Sequence, residues 1–135
     1  MTIYLIDSSA WIEYLRDTGS MAAAAVERLI DTDAEIATTE PIVMELLAGP
    51  TNPKALTLVD ALTAGLPLIR VDAYTDYHHA AAIYRTARSQ GKTVRSLVDC
   101  LIAAVALRSD ATLLHRDADF DIIAELTSLD VASMR

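Results

Sequence analysis

Short apolar runs of strand length recur along this chain, each followed by a stretch with helical spacing, and that alternation leaves few architectures open. Ile3–Ile6, Glu35–Thr38, Leu68–Val71, Thr112–Leu114 and Leu129–Ala132 read as strands. Between them the pattern predicts a helix capped by Ser8 or Ser9 and running through Leu15, and another over Met21–Ile30. A third starts at a Thr39 cap, carries Pro41 in its first turn and stops at Gly49–Pro50. Further helices are expected over Pro53–Ala64, Thr75–Ser89, Leu97–Leu107 and Phe120–Leu126. Strands separated by helices imply an α/β domain with a mainly parallel sheet. With 135 residues, no repeat and no credible linker, residues 1–135 are expected to form one domain.

Two of the helices have legible faces. In Thr75–Ser89, the residues Tyr77, Ala80, Ile83, Tyr84 and Ala87 fall within about 120° of arc, a core-facing stripe. Leu97–Leu107 is apolar almost all round and is expected at the centre of the molecule. In open parallel sheets, ligands bind beyond the carboxyl ends of the strands. Acids stand at those ends. Asp7 directly follows the first strand, and Asp117 follows Thr112–Leu114. Glu45 lies in the helix after the second strand, and Asp99 in the first turn of the apolar helix.

Acids brought to one edge repel, and one of them takes up a proton unless a cation relieves the conflict. An all-oxygen donor set suits Mg²⁺ or Mn²⁺. Zinc is disfavoured: the chain has one cysteine, Cys100, three histidines (His78, His79 and His115), and no H-E-x-x-H. Each acid also has a structural explanation. Asp7 suits a turn, and Glu45 a solvated helix face. Asp99 stands three residues after Ser96, the spacing of a capping box. Asp117, Asp119 and Asp121 suit turns and caps. The joint pattern favours the metal, because an acid in the first turn of so apolar a helix is costly without a partner.

The net charge of −8 and a sequence pI of about 4.6 argue against a broad basic nucleic-acid surface. The basic residues are nevertheless uneven. No acid occurs between Asp76 and Asp99, while Arg85, Arg88, Lys92 and Arg95, four of the eleven Lys and Arg, lie there. Arg85, Arg88 and Lys92 share a helical face, which suits either solvent or an RNA or protein partner. The lone cysteine, the lack of a basic leader and the absence of any membrane-length apolar run point to a cytoplasmic protein.

Four segments taken in order resemble the PIN-domain family, and within it the VapC toxins of prokaryotic toxin–antitoxin pairs. They are Tyr4-Leu5-Ile6-Asp7-Ser8-Ser9-Ala10-Trp11-Ile12, Pro41-Ile42-Val43-Met44-Glu45-Leu46-Leu47, Ser96-Leu97-Val98-Asp99-Cys100-Leu101-Ile102-Ala103 and Leu114-His115-Arg116-Asp117-Ala118-Asp119-Phe120. The resemblance implies a three-layer α/β/α domain with a five-stranded parallel sheet in the order 3-2-1-4-5. It implies an acidic quartet of Asp7, Glu45, Asp99 and Asp117 around Mg²⁺ or Mn²⁺, with Asp119 as a fifth acid and Ser9 in support. Whether Asp117 or Asp119 completes the ligand set stays open. The implied activity is endoribonuclease hydrolysis of structured RNA such as tRNA or rRNA, leaving 5′-phosphate and 3′-hydroxyl ends. The implied assembly is a homodimer, held in a hetero-oligomer with an inhibitory VapB-type antitoxin.

Two other readings share some of these features. A receiver-type signalling domain has a similar α/β pattern and acid-bound Mg²⁺. It needs paired acids after its first strand, an acceptor aspartate and a late lysine; here Asp7 stands alone, Asp72 after Val71 could serve as the acceptor, and no lysine follows Lys92. A PIN-like module that binds RNA or protein without cleaving would not need the full set of acids.

Overall fold

The computed structural model describes residues 1–135. The chain runs β1 (Ile3–Ile6), α1 (Ser8–Leu15), α2 (Met21–Asp31), β2 (Glu35–Ala37), α3 (Glu40–Ala48), α4 (Pro53–Ala64), α5 (Thr75–Ser89), α6 (Leu97–Ser109), β3 (Thr112–His115), α7 (Ala118–Leu126) and β4 (Val131–Ser133). The strands form one sheet in the order β2-β1-β3-β4, with every pairing parallel. Leu5 and Ile6 are adjacent in β1 and point to opposite faces, yet neither has any exposed surface. Leu113 and Leu114 in β3 repeat that pattern. A sheet buried on both faces needs helices on both, which is the three-layer α/β arrangement. No helix is long and apolar enough to cross a membrane.

The sheet has four strands, not the expected five. The Leu68–Val71 segment makes one parallel bridge, Leu68 opposite Thr38. Thr38 N–H donates to Pro67 O at 2.9 Å, and Ile69 N–H to Thr38 O at 2.8 Å. Beyond that, side chains take the backbone. Arg108 Nη2 donates to Arg70 O (2.7 Å), Val71 N–H to Glu40 Oε1 (2.9 Å), and Asp72 N–H to Asp76 Oδ2 (2.8 Å). The apolar run is strand-like, but its polar groups are satisfied elsewhere, so the ladder stops. Its position beside β2 is the one the third strand of the expected order would occupy.

The α6 helix is the centre of the packing. Asp99 through Ala106 are buried without interruption, as the apolar sequence predicts. Its C-terminus turns through Asp110 at φ 54°, and Ala111 N–H reaches back to Ala106 O at 3.0 Å. Helix α5 packs on α6 with Ala80, Ile83 and Ala87 buried and Tyr84 partly so. Tyr77 departs from the expected stripe. It is 54% exposed and lines a groove with Met44, Val98 and Leu101. Asp76, just before it, is buried at 1% exposure and receives the Arg108 guanidinium through Nε (3.0 Å) and Nη2 (2.9 Å). One ion pair therefore joins α5, α6 and the Leu68–Asp72 segment.

Truncating Arg108 to Ala strands the Asp76 carboxylate and frees Arg70 O. A loss of about 2 kcal/mol is expected. Urea unfolding of the parent and Arg108→Ala measures it, and a change below about 0.5 kcal/mol would mean that solvent replaces the guanidinium.

Candidate metal centre

The carboxyl ends of β1 and β3, the starts of α6 and α7 and the middle of α3 meet on one edge of the sheet. Asp7 caps α1 there, a role the sequence reading gave to Ser8 or Ser9. Its Oδ2 accepts from Ser9 N–H (3.0 Å) and the Ser9 hydroxyl (2.6 Å). The Ser9 hydroxyl oxygen in turn accepts from Arg116 N–H (2.9 Å), joining the two strand ends. The other oxygen of Asp7, Oδ1, is buried and has no hydrogen-bond partner. Burial pushes the Asp7 carboxyl above its usual range, opposed by the Ser9 bonds and reinforced by the charge on Asp117.

The capping-box reading of Asp99 is half right. Ser96 is the N-cap of α6 and accepts from Asp99 N–H at 3.4 Å. The reciprocal bond does not form, because Ser96 N–H donates instead to Asp119 Oδ2 (3.2 Å). The Asp99 carboxyl is thereby left to the acid cluster. Asp99, Asp117 and Asp119 each offer an oxygen such that the three lie within 4.8 Å of one another. Asp99 is only 5% exposed, and its pKa is pushed up to about 9, first by burial, then by its hydrogen bond with Asp119 and by the charges on Asp7 and Asp117. Asp119 goes the other way. Burial works to raise it, but the Asp99 hydrogen bond and donors from Arg95 hold it below the usual carboxylate range. The shared hydrogen bond therefore favours the proton on Asp99 and the charge on Asp119.

Asp117 is the N-cap of α7, its Oδ1 accepting from Asp119 N–H at 2.9 Å. Thr39, the expected cap of α3, occupies that position without making a side-chain cap bond. Glu45, on α3, stands at the rim, partly buried, with the Ser8 hydroxyl donating to Oε1 at 3.1 Å. Burial and the Asp7 charge raise its pKa. All five predicted acids thus reach one electrostatic neighbourhood. Three of them, Asp99, Asp117 and Asp119, are the tight group.

The basic residues divide. Arg95 joins the acids: Nη2 donates to Asp117 Oδ1 (3.0 Å) and Nε to Asp119 Oδ1 (3.3 Å). Arg85, Arg88 and Lys92 stay on the exposed side of α5 and the turn after it. Arg88 lies 5.9 Å over the Tyr84 ring, and Lys92 pairs with Glu125 at 3.7 Å. Two supports went unread in the sequence. Ser8 holds Glu45, and His115, with no exposed surface, accepts from Asp117 N–H through Nδ1 at 3.0 Å. That bond places the His115 proton on Nε2, 3.3 Å from Asp121 Oδ1. Its signal was its place at the end of β3, two residues before an acid. Cys100 is buried, and burial pushes its thiol up to about 11, so it serves the core. Asp72, the acceptor a receiver domain would need, accepts from Tyr74 and Thr75 N–H in a turn before α5.

The donor set fits a hard divalent cation. Every candidate atom is a carboxylate oxygen, and the unpartnered Asp7 Oδ1 is the kind of buried acceptor that such a cation satisfies. A carboxyl whose folded pKa exceeds its unfolded value takes up a proton on folding, so stability falls as pH rises between the two. For Asp99 that window runs from 3.8 to about 9. In chelator, the parent is expected to lose stability between about pH 5.5 and pH 8.5. Asp99→Asn cannot ionise and keeps a donor toward Asp119. It should lose less over that span, by on the order of 2 kcal/mol. Urea unfolding at both pH values decides, and equal slopes would show that Asp99 titrates as an ordinary carboxyl.

Comparison with known proteins identifies the family. The PIN domain family model matches residues 4–126. The chain is 53% identical over 132 residues to "VapC ribonuclease Mb1587" of Mycobacterium bovis, covering 97% of this chain and 98% of that protein. Ribonuclease VapC11 of Mycobacterium tuberculosis matches with the same identity and coverage. The DNA-bound VapBC structure from Salmonella typhimurium superposes with a TM-score of 0.79 at 16% identity, covering 100% of both chains. The chain belongs to the PIN domain family, in the branch of the VapC ribonucleases.

Proposed function

We propose that this protein is a metal-dependent endoribonuclease toxin of a VapBC-type pair, hydrolysing phosphodiester bonds in structured RNA, with tRNA or rRNA as the substrate class. Asp7, Asp99, Asp117 and Asp119 hold Mg²⁺, with Mn²⁺ able to replace it. The observation that carries this reading is Asp99. It is a buried acid whose capping bond has been given to Asp119, so that its carboxyl faces the other acids instead of the helix start. A bound divalent cation neutralises such a cluster, lowers the pKa of a coordinated water and polarises a phosphate oxygen.

The remaining roles belong to the chain. Ser9 fixes the Asp7 carboxylate, and His115 fixes the backbone of Asp117. Glu45, held by Ser8 and raised in pKa, is suited to orient the attacking water and accept its proton. As the water oxygen bonds to phosphorus, the P–O3′ bond breaks, which leaves 5′-phosphate and 3′-hydroxyl ends. A groove of about 220 Å³ beside Glu45, lined by Ile12, Leu15, Leu46, Pro50 and Val59, offers an apolar seat next to the acids. It suits a VapB-type antitoxin that inhibits by covering them. A homodimer inside a hetero-oligomer with antitoxin, one domain over residues 1–135 and a cytoplasmic location complete the reading.

Purified protein should cleave structured RNA with Mg²⁺ and stop in chelator, and Asp99→Asn and Asp7→Asn should fall to background while remaining folded. Cleavage that persists in chelator would overturn the metal mechanism. If Arg85, Arg88 and Lys92 guide RNA, replacing all three with Gln should weaken binding and reduce the slope of log K against log salt by up to about three phosphate contacts. An unchanged slope would return that face to solvent or to the antitoxin.

A further inference from the structure

Arg95 is the one cation inserted among the acids, and it is built in an unusual way. Its guanidinium bridges two acids of the tight group, with Nη2 on Asp117 Oδ1 (3.0 Å) and Nε on Asp119 Oδ1 (3.3 Å). Its backbone does a separate job. Arg95 N–H (3.0 Å) and Ser96 N–H (3.2 Å) both donate to Asp119 Oδ2, so the orientation of Asp119 is set without the side chain. The neighbouring Val94 is 3% exposed, which anchors the segment, while the Arg95 side chain is 70% exposed. A charge this open gains little from its pairings and can leave without dismantling the core.

We propose that Arg95 is a built-in counter-ion that competes with the divalent cation for Asp117 and Asp119, and so sets the metal affinity of the site. This rests on the metal centre described above. Without metal, the guanidinium supplies part of the positive charge that the gathered carboxylates require. A dication at the same oxygens repels it. The backbone donors keep Asp119 aimed inward throughout, so one cation replaces the other on a fixed frame. Once displaced, the guanidinium stays at the rim, tethered by its own backbone, where its planar fork matches a phosphodiester anion. Metal uptake then frees a phosphate ligand, and a phosphate that holds Arg95 away from the acids favours metal uptake by the same factor.

The test is titration of Mn²⁺ and Mg²⁺ into chelator-stripped, dialysed parent, Arg95→Gln, Arg95→Lys and Asp99→Asn, followed calorimetrically in the absence of RNA. Arg95→Gln is expected to bind either metal about threefold to tenfold more tightly than the parent, with the advantage shrinking as salt rises. Arg95→Lys, which keeps the charge and loses the fork, should fall between the two. Equal or weaker metal binding by Arg95→Gln overturns the proposal and makes Arg95 a clamp for Asp119 or a surface charge. If Arg95→Gln does not fold, Arg95→Lys decides alone: tighter binding than the parent supports competition, and equal or weaker binding overturns it. Failure of the underlying reading looks different. There the parent binds no metal, or Asp99→Asn binds it as well as the parent does.

Discussion

Carboxylates cannot be gathered at one sheet edge unless their charge is answered, and the local design of this molecule follows from that constraint. Three devices answer it in the metal-free protein. Burial and neighbouring charge push Asp99 toward its protonated form, a guanidinium bridges Asp117 and Asp119, and a short hydrogen bond from the Ser9 hydroxyl holds one oxygen of Asp7. Each is of a kind that a divalent cation can displace or leave in place without moving the backbone. The frame itself is fixed by uncharged donors: Ser9 N–H on Asp7, Asp119 N–H on Asp117, and the paired N–H groups of Arg95 and Ser96 on Asp119. Rigidity and charge are thus supplied by different atoms.

Helix α6 makes the arrangement affordable. Its buried run from Cys100 to Ala106 fastens the helix in the centre of the molecule, so the cost of burying Asp99 just before it is carried by apolar packing. The far end is tied by Arg108 to Asp76 and Arg70, where an ion pair has a purely structural use. One helix therefore has an acid at its head that serves the site and a base at its tail that serves the fold.

How much of this could be read in the sequence depended on range. The strand-helix alternation, the central position of Leu97–Leu107 and the convergence of Asp7, Glu45, Asp99 and Asp117 were legible from periodicity and strand-end position, which are local properties, whereas Asp119 came in only through the family resemblance. What escaped was decided by partners distant in sequence. Leu68–Val71 has the composition of a strand, and nothing local shows that Arg108 and Glu40 will take its backbone groups. Ser96 and Asp99 have capping-box spacing, and only the fold brings Asp119 in to break the reciprocal bond. Tyr77 follows the stripe, but periodicity gives direction and not whether a neighbour covers the side chain. Arg95 was grouped with Arg85, Arg88 and Lys92 by proximity in sequence, whereas the loop turns it toward the acids and leaves the others on α5.

The hydroxyl of Ser9 accepts from the backbone of Arg116 across 107 positions, and β1 pairs directly with β3. That separation has a consequence for synthesis. Loop closure over most of the chain must precede any assembly of the acids, so contacts of this range form late and slowly. A chain still emerging from the ribosome, with Asp7 made and Asp119 not, has scattered carboxylates and no centre. The acidic cluster is complete only once α7 has docked beside α6.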